Sequence, residues 1–220
     1  MTKGGPALDT HRQDSRALEA ALAALGQGAL VIVPTETVYG LAADAHNDGA
    51  VQALYALKGR PATQPFSLLV ADRAMAQHYG VFDARAAALA AHFWPGPLTL
   101  VMPRRADAPS SPLVNRKDQS IAVRVPAQAQ TLALLRRFGR ALAAPSANPA
   151  GAPAPARPED IAPAIRAGAA LCLDGAAGQG RASTLAVLEK EGVRILRPGA
   201  ISREALAAVL ARFGRQGAVL

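Results

Sequence analysis

Polar side chains in this sequence cluster where apolar segments end, and the first cluster is the most unusual. In VIVPTETVYGL, residues 31–41, β-branched apolar residues run into Pro34 and then into Thr35, Glu36 and Thr37. A simple connecting turn needs Gly, Asn or Asp, and it does not need a carboxylate between two hydroxyls. We therefore interpret this segment as a strand that Pro34 ends, followed by a loop that presents hydroxyl groups for binding.

Four further clusters follow the same pattern. They are Lys58 and Arg60 in KGRP, Ser120 and Arg124 in SIAVRV, Ser146 and Asn148 in APSAN, and Ser183 and Arg197 in RAST and RPG. Taken singly, most of these residues fit a helix end or an ordinary turn. Arg124 is the exception, because AVRV is apolar on both sides of it and arginine is rarely buried without a partner. Taken together, they indicate one site, since strand ends in an open α/β sheet converge on one crevice.

The chemistry predicted for such a crevice is the binding of a polyphosphate. The clusters supply cations, hydroxyls and an amide but no dedicated nucleophile. Phosphoryl and nucleotidyl transfer depend mainly on positioning and charge neutralisation, which this residue set can provide. The sequence contains no GxxxxGK[ST] loop, no GxSxG elbow and no HExxH, and its four histidines show no ligand spacing. These absences disfavour P-loop, hydrolase and metalloenzyme chemistry.

Helices and strands that alternate irregularly along the chain must position these clusters. We predict helices from residue 14 or 15 to 27, from 50 to 57 with Asp48 as cap, from 128 to 138 and from 202 to 213, and Ala-rich helices after Asp72 and Asp83. Strands are predicted at 29–33, 41–43, 66–70, 98–102, 120–125, 140–148, 170–174, 184–190 and 193–198, the last two as a hairpin about Glu191 and Gly192. This pattern predicts one α/β domain with a large mixed sheet.

Composition sets broad limits on the protein. The chain has 220 residues, a formal net charge of +8, and 50% hydrophobic residues. The positive charge fits either affinity for polyanions or a general abundance of arginine, and the sequence leaves both open. Cys172 is the only cysteine, so no disulfide framework forms within the chain. No run of about 20 apolar residues occurs, so we expect a cytoplasmic protein that binds no membrane.

Six motifs occur here in a familiar order over roughly residues 15–205: PTETVYGLAADA, KGRP, WPGPLTLV, AVRVP, APSAN and ILRPGAI. In this the chain resembles the YrdC-like family of threonylcarbamoyl-AMP synthases. The family's paired K-x-R and S-x-N motifs stand here as Lys58–Arg60 and Ser146–Asn148. The resemblance implies a single YrdC-like domain, 15–214, with a twisted, mostly mixed sheet flanked by helices and a basic concave crevice. A flexible N-terminus, 1–14, and no additional C-terminal domain are expected.

The resemblance also implies an activity and partners. Such an enzyme forms threonylcarbamoyl-AMP and pyrophosphate from L-threonine, bicarbonate or CO2, and ATP. Its product would pass to a separate threonylcarbamoyl transferase complex that modifies tRNA, and some family members bind double-stranded RNA. Mg²⁺ is the expected cofactor, held largely by the ATP phosphates because no pair of acidic residues is placed for it.

Site residues follow from the resemblance position by position. Catalytic roles are implied for Lys58, Arg60, Ser146 and Asn148. ATP binding is implied for Arg60, Gln64, Ser120, Ser146 and Arg197, and threonine binding for Thr35, Thr37, Arg124 and Ser183. Glu36 either orients Lys58 or Arg60, or only caps its loop. The chain departs from the family pattern at Leu69, where many members have histidine, at Gln64, where Asn or Lys is common, and in the Ala/Pro-rich loop 149–156.

Two other functions compete with this enzyme. A non-catalytic RNA-binding module could use the same basic groove, but it would need positive charge and not the S-x-N motif. Carbamoyl-adenylate chemistry on another substrate occurs in the similar domain of hydrogenase-maturation proteins, and the appended segments of those proteins are not recognisable here. The presence of Lys58, Arg60, Ser146 and Asn148 together favours the synthase.

Overall fold

A nine-stranded mixed sheet with helices on both faces forms the fold. A computed structural model describes residues 6–115, 117–175, 178, 180–189 and 192–216. The helices are α1 (Pro6–Gly26), α2 (Asp48–Lys58), α3 (Arg73–Ala76), α4 (Ala84–Phe93), α5 (Ala129–Phe138), α6 (Pro163–Ala167) and α7 (Arg203–Gln216), with 3-10 turns at Pro112–Val114 and Pro158–Asp160. The strands are β1 (Val31–Val33), β2 (Gly40–Asp44), β3 (Leu68–Leu69), β4 (Leu98–Pro103), β5 (Ser120–Arg124), β6 (Leu142–Ala143), β7 (Leu171–Cys172), β8 (Thr184–Leu188) and β9 (Val193–Arg197).

The strand order is β7-β1-β2-β6-β3-β5-β4-β8-β9. Strand pairs β1–β7, β3–β5 and β4–β8 are parallel and the other neighbouring pairs are antiparallel. The predicted mixed sheet flanked by helices is therefore confirmed. The predicted hairpin is confirmed as the antiparallel pair β8–β9, although Glu191 of its turn lies outside the described residues. In the described part of the chain, no helix is both long and apolar enough to cross a membrane.

Two predicted helix starts differ from the structure. Helix α1 already begins at Pro6, within the segment predicted to be a flexible N-terminus; residues 1–5 lie outside the described residues. At α2 the cap is Asn47 and not Asp48, because the Asn47 side chain accepts the N–H of Ala50 at 3.0 Å and Asp48 already has helical backbone. Asp72 and Asp83 cap α3 and α4 as predicted.

The alternation of side chains along β1 shows how the core is divided between the two faces of the sheet. Val31 packs on one face, in a cluster with Leu25 of α1 and Leu135 of α5. Ile32 packs on the opposite face, in a larger cluster that includes Leu54 of α2. Helices α4 and α7 contribute to that larger cluster too.

Helices α1 and α5 cover only part of their face. Among the described residues, the cluster beneath them contains residues of β1, β2, β3, β6 and β7 but none of β4, β5, β8 or β9. In the described part of the chain, no helix therefore covers the β5-β4-β8-β9 half of the sheet on this face. The candidate site lies on this uncovered half.

Candidate functional site

A row of side chains across the sheet forms the floor of a crevice. Leu100 pairs with Val123 in the antiparallel β4–β5 pair, which places Thr99 opposite Arg124. Leu69 pairs with Arg124, and Leu185 pairs with both Thr99 and Arg197. Because directly paired residues point to the same face, these five side chains share the face that α1 and α5 leave open. All five line one cavity, which encloses about 870 Å³ including its open mouth.

Loops at the strand ends form the walls of this crevice. The wall residues include Thr35 and Thr37 after β1, Arg60 and Phe66 after α2, Ser146 after β6, and Ser183 before β8. Seven of the predicted site residues are therefore brought together: Thr35, Thr37, Arg60, Arg124, Ser146, Ser183 and Arg197. The remaining four, Lys58, Gln64, Ser120 and Asn148, are not among the lining residues.

Arg124 lies on the crevice floor and is held at each of its three nitrogens. Nε donates to the carbonyl of Gly96 at 3.1 Å, and Nη1 donates to Oγ1 of Thr37 at 3.0 Å. Nη2 forms an ion pair with Oε1 of Glu36 at 2.7 Å. Only 6% of Arg124 is exposed. Burial lowers the pKa of its guanidinium and the neighbouring Glu36 opposes that shift, so the group stays charged.

The predicted turn after β1 is built by its own hydroxyls. Thr35 Oγ1 donates to the carbonyl of Val38 at 2.6 Å and accepts the N–H groups of Thr37 and Val38, each at 3.2 Å. The two threonine hydroxyls are 2.8 Å apart. These bonds fix the loop locally and place Thr37 between Thr35 and the Arg124 guanidinium. Glu36 contacts Arg124 and neither Lys58 nor Arg60, so the predicted alternatives for its role were wrong.

Lys58 lies behind the crevice wall. Its Nζ donates to the carbonyls of Ser146 and Asn148, each at 2.5 Å, and lies 3.5 Å from Oδ1 of Asn148. The K-x-R and S-x-N motifs are therefore bonded to each other. Burial lowers the pKa of Lys58 to about 8, and the charge of Arg60 adds to the effect. The positive φ of Gly59, +61°, ends α2 so that Lys58 points inward and Arg60 reaches the crevice.

Arg60 and Arg197 complete the cationic part of the crevice. Arg60 donates from Nε to the carbonyl of Gln64 at 2.9 Å, and its guanidinium lies 5.0 Å from the centre of the Phe66 ring. Arg197 donates to the carbonyl and hydroxyl of Ser183 at 3.0 and 2.9 Å. Burial lowers the pKa of Arg197, and the charges of Arg124 and Arg60 lower it further. The positive charges of Arg60, Arg124 and Arg197 therefore all act on the same crevice.

Three predicted ATP or catalytic residues lie elsewhere. Ser120 begins β5, four residues before Arg124, and its hydroxyl bonds Oδ1 of Asp118 at 2.5 Å. Gln64 is exposed, and its backbone carbonyl serves Arg60. Asn148 donates its amide to the carbonyls of Pro149 and Ala152, so it organises its own loop. These three residues therefore support neighbouring segments or lie at the surface, and none of them forms part of the crevice wall.

Thr99 is a crevice residue that the sequence analysis did not single out. It is 1% exposed, and its Oγ1 lies 2.7 Å from Oγ of Ser183. Because Thr99 lies within the apolar strand LTLVM, the sequence pattern indicates only an ordinary strand position. The signal that could have found it is its place in the row: a threonine on the face that also carries Arg124 and Arg197.

The crevice lining offers no carboxylate among the described residues. In the described part of the chain, no group of three or more His, Cys, Asp or Glu is placed to hold a metal ion. The donor set of arginines and hydroxyls thus suits an anion and does not form a metal cage.

These features define an α/β protein with a crevice lined by arginines and hydroxyls at its strand ends, and comparison with known proteins shows to which family it belongs. The sequence model of the Sua5, YciO and YrdC family, described as "Telomere recombination", matches residues 23–199. The chain belongs to this family.

Sequence similarity to individual proteins supports this family membership. The threonylcarbamoyl-AMP synthase of Bacillus subtilis is 39% identical over 192 residues, which cover 86% of this chain and 55% of the relative. That of Pyrococcus abyssi is 36% identical and is covered over 54% of its length. The chain therefore spans about half the length of these two relatives. A Mycobacterium tuberculosis relative, 36% identical, is covered over 91% of its length.

Solved structures show the same fold. The crystal structure of P. abyssi Sua5 complexed with L-threonine has a TM-score of 0.82 and 34% identity, covering 88% of this chain and 57% of that one. Escherichia coli YciO, at 21% identity, has a TM-score of 0.78 and shows the fold alone.

Proposed function

We propose that this chain is an L-threonylcarbamoyladenylate synthase, which forms threonylcarbamoyl-AMP and pyrophosphate from L-threonine, bicarbonate and ATP. The observation that carries this proposal is the crevice in which Arg60, Arg124 and Arg197 converge beside buried hydroxyls. Relatives named threonylcarbamoyl-AMP synthase, and the P. abyssi Sua5 crystal structure with L-threonine, support the choice of substrates.

The amino acid is assigned to the floor near Arg124. Arg124 keeps unused N–H groups after its bonds to Gly96 and Thr37 and its ion pair with Glu36, and it lines the crevice. A guanidinium is the side chain best suited to orient a carboxylate in two-point fashion. The hydroxyls of Thr37 and Ser183 are placed to contact the remaining polar groups of threonine.

The nucleotide is assigned to the part of the crevice between Arg60, Arg197 and Ser146. The two guanidinium groups would neutralise the phosphates, and Ser146 would donate a hydrogen bond to them. Lys58 contributes indirectly in this proposal, because it holds the Ser146–Asn148 segment from behind.

The reaction needs positioning more than a protein nucleophile. The neutral threonine amine forms an N–C bond to the carbon of bicarbonate or CO2, which gives a carbamate after loss of water or a proton. A carbamate oxygen then attacks the α-phosphorus of ATP, and the bond to the β-phosphate oxygen breaks as pyrophosphate leaves. Arg60 and Arg197 stabilise the negative charge that develops on the phosphates.

Mg²⁺ enters this proposal with ATP as part of the substrate. Since the described lining offers hydroxyls but no carboxylate, its residues do not fit a resident metal site. Delivery of threonylcarbamoyl-AMP to a tRNA-modifying transferase is part of the same proposal, and so is contact with tRNA through the excess positive charge.

The test is release of pyrophosphate from MgATP with bicarbonate and one amino acid. We expect turnover with L-threonine and little with serine, glycine or no amino acid. Arg60→Ala and Ser146→Ala should abolish turnover while circular dichroism stays unchanged, and Arg137→Ala, which removes an exposed arginine paired with Glu19, is the matched control. Turnover that does not depend on threonine, or no turnover, contradicts the proposal.

A further inference from the structure

Glu36 stands in a loop whose backbone is fixed on both sides. Its neighbours Thr35 and Thr37 are tied together by the hydroxyl bonds of the turn. Its own carbonyl packs against the backbone of Gly178, where an added Cβ would lie 1.5 Å from that oxygen. The N–H of Gly178 also donates to the carbonyl of Thr35 at 3.1 Å. Any movement of Glu36 is therefore confined to its side chain.

That side chain reaches the one nitrogen of Arg124 that no other described residue holds. Gly96 takes Nε and Thr37 takes Nη1, whereas Nη2 lies 2.7 Å from Oε1 of Glu36. Both carboxylate oxygens are buried, and among the described residues they have no hydrogen-bond partner beyond this ion-pair contact. Glu36 is not among the residues that line the crevice. The carboxylate thus faces the guanidinium and not the ligand space.

A buried cation needs such a partner. Removal of one member of a buried pair leaves an uncompensated charge, which costs several kcal/mol. Arg124 is only 6% exposed, and Glu36 is the acidic residue that opposes the burial-driven lowering of its pKa. Three fixed contacts also hold the guanidinium plane in one orientation before any ligand arrives, which reduces the ordering cost of binding.

We propose that Glu36 is a positioning residue for the amino-acid substrate. It acts through Arg124, keeping the guanidinium charged and its free N–H groups turned toward the substrate carboxylate, without touching the substrate. This inference rests on the proposed function for the identity of the ligand. It assigns to the acidic residue of the PTET segment an effect on threonine and none on ATP.

The experiment compares Glu36→Gln, Glu36→Asp and wild type by steady-state pyrophosphate release, with KM measured separately for threonine and ATP. Glu36→Gln keeps size and an acceptor but removes the charge. We expect its KM for threonine to rise about tenfold or more, because the buried guanidinium keeps an acceptor beside it but loses the charge that compensates its own. The KM of Glu36→Gln for ATP should stay within about twofold of the wild-type value. Glu36→Asp keeps the charge, so its KM for threonine should lie between those of wild type and Glu36→Gln.

Glu19→Gln is the matched control, because it removes an ion pair with Arg137 at 2.5 Å on the exposed surface. Its KM for threonine should equal that of wild type. A general loss of stability in Glu36→Gln would reduce the active fraction, which alters the rate but not the ratio of the two KM values. An unchanged threonine KM overturns the inference, and a lowered one does so too, because it would make Glu36 a competitor of the substrate carboxylate.

Calorimetric binding of L-threonine to the ATP-free protein separates this inference from the proposed function. If wild type binds threonine without releasing pyrophosphate, the proposed reaction is wrong, and weaker threonine binding by Glu36→Gln still supports the positioning role. Equal affinities in the two proteins overturn that role. Wild type that neither binds threonine nor turns over contradicts both.

Discussion

Lys58 and Arg124 are two buried cations of one site, and the structure treats them differently. Lys58 is 3% exposed and Arg124 is 6% exposed. The ammonium of Lys58 faces neutral carbonyls of the Ser146–Asn148 segment, whereas the guanidinium of Arg124 has a carboxylate, Glu36, at 2.7 Å. Arg124 lines the crevice and Lys58 does not.

The two cations therefore have different structural roles: Lys58 shapes the crevice wall from behind, and Arg124 lines the crevice. All donors of an ammonium that is bonded to three oxygens are used within the protein, so Lys58 fixes the segment that carries Ser146. A guanidinium has five N–H donors in a fixed plane, so Arg124 can be held by the protein and still bind a carboxylate. A residue of a recognisable motif therefore need not line the crevice, and in the proposed function the arginine of the buried ion pair is the one that binds the ligand.

The largest expected effect is on Arg124. Arg124→Lys should reduce kcat/KM for threonine by on the order of 100- to 1000-fold, because lysine cannot bridge Gly96, Thr37 and Glu36 with one planar group. The measurement is threonine-dependent pyrophosphate release, with Arg137→Lys as an exposed control. A decrease in kcat/KM smaller than about tenfold would mean that Arg124, like Lys58, only supports the crevice and does not bind the substrate.

The next effect is the pH dependence of stability that Lys58 introduces. Burial lowers its pKa from 10.5 to about 8, so between these pH values the unfolded chain holds a proton that the native protein has released. The free energy of unfolding should therefore rise with pH in this window, by about 3 kcal/mol at most, and stay level below pH 8. Denaturant unfolding of wild type and Lys58→Met at pH 7 and 10 isolates this contribution. A difference between the two proteins that is the same at both pH values contradicts it.

A smaller effect is expected at Thr99. Thr99→Val removes the hydroxyl that lies 2.7 Å from Oγ of Ser183 and leaves Ser183 with Arg197 as its remaining partner. We expect kcat/KM for threonine to fall about three- to tenfold, the range for one neutral hydrogen bond. Thr184→Val is the matched control, since its buried hydroxyl bonds the carbonyl of Ile201 outside the crevice. That variant should lose stability and keep its kinetic constants.

The smallest effect is expected at Ser120. Its hydroxyl bonds Asp118 and it is not part of the crevice lining, so Ser120→Ala should leave KM for ATP within about twofold of wild type. The predicted ATP contact at this position and the observed placement differ, and this variant decides between them. A KM for ATP raised about tenfold or more would mean that the crevice extends to the start of β5.

Much of the fold and part of the site could be predicted from local sequence patterns. Apolar runs and cap residues predicted the strands and the helices after Asp72 and Asp83, because both signals act within a few residues. The cap of α2 was assigned one residue late, since Asn47 and Asp48 are both good caps and only the backbone conformation distinguishes them. Thr99 was missed because nothing in an apolar strand reveals which face is left uncovered.

By itself the sequence determined which residue types stand at the ends of apolar segments, and from these it predicted a cationic, hydroxyl-rich site. Only the tertiary structure decided the partner of each group. Glu36 could have oriented Lys58, Arg60 or neither, and its contact is Arg124. Lys58 bonds residues 88 and 90 positions away, and Thr37 bonds Arg124 across 87 positions. Such contacts depend on the order of strands in the sheet, which is set by the packing of the whole core.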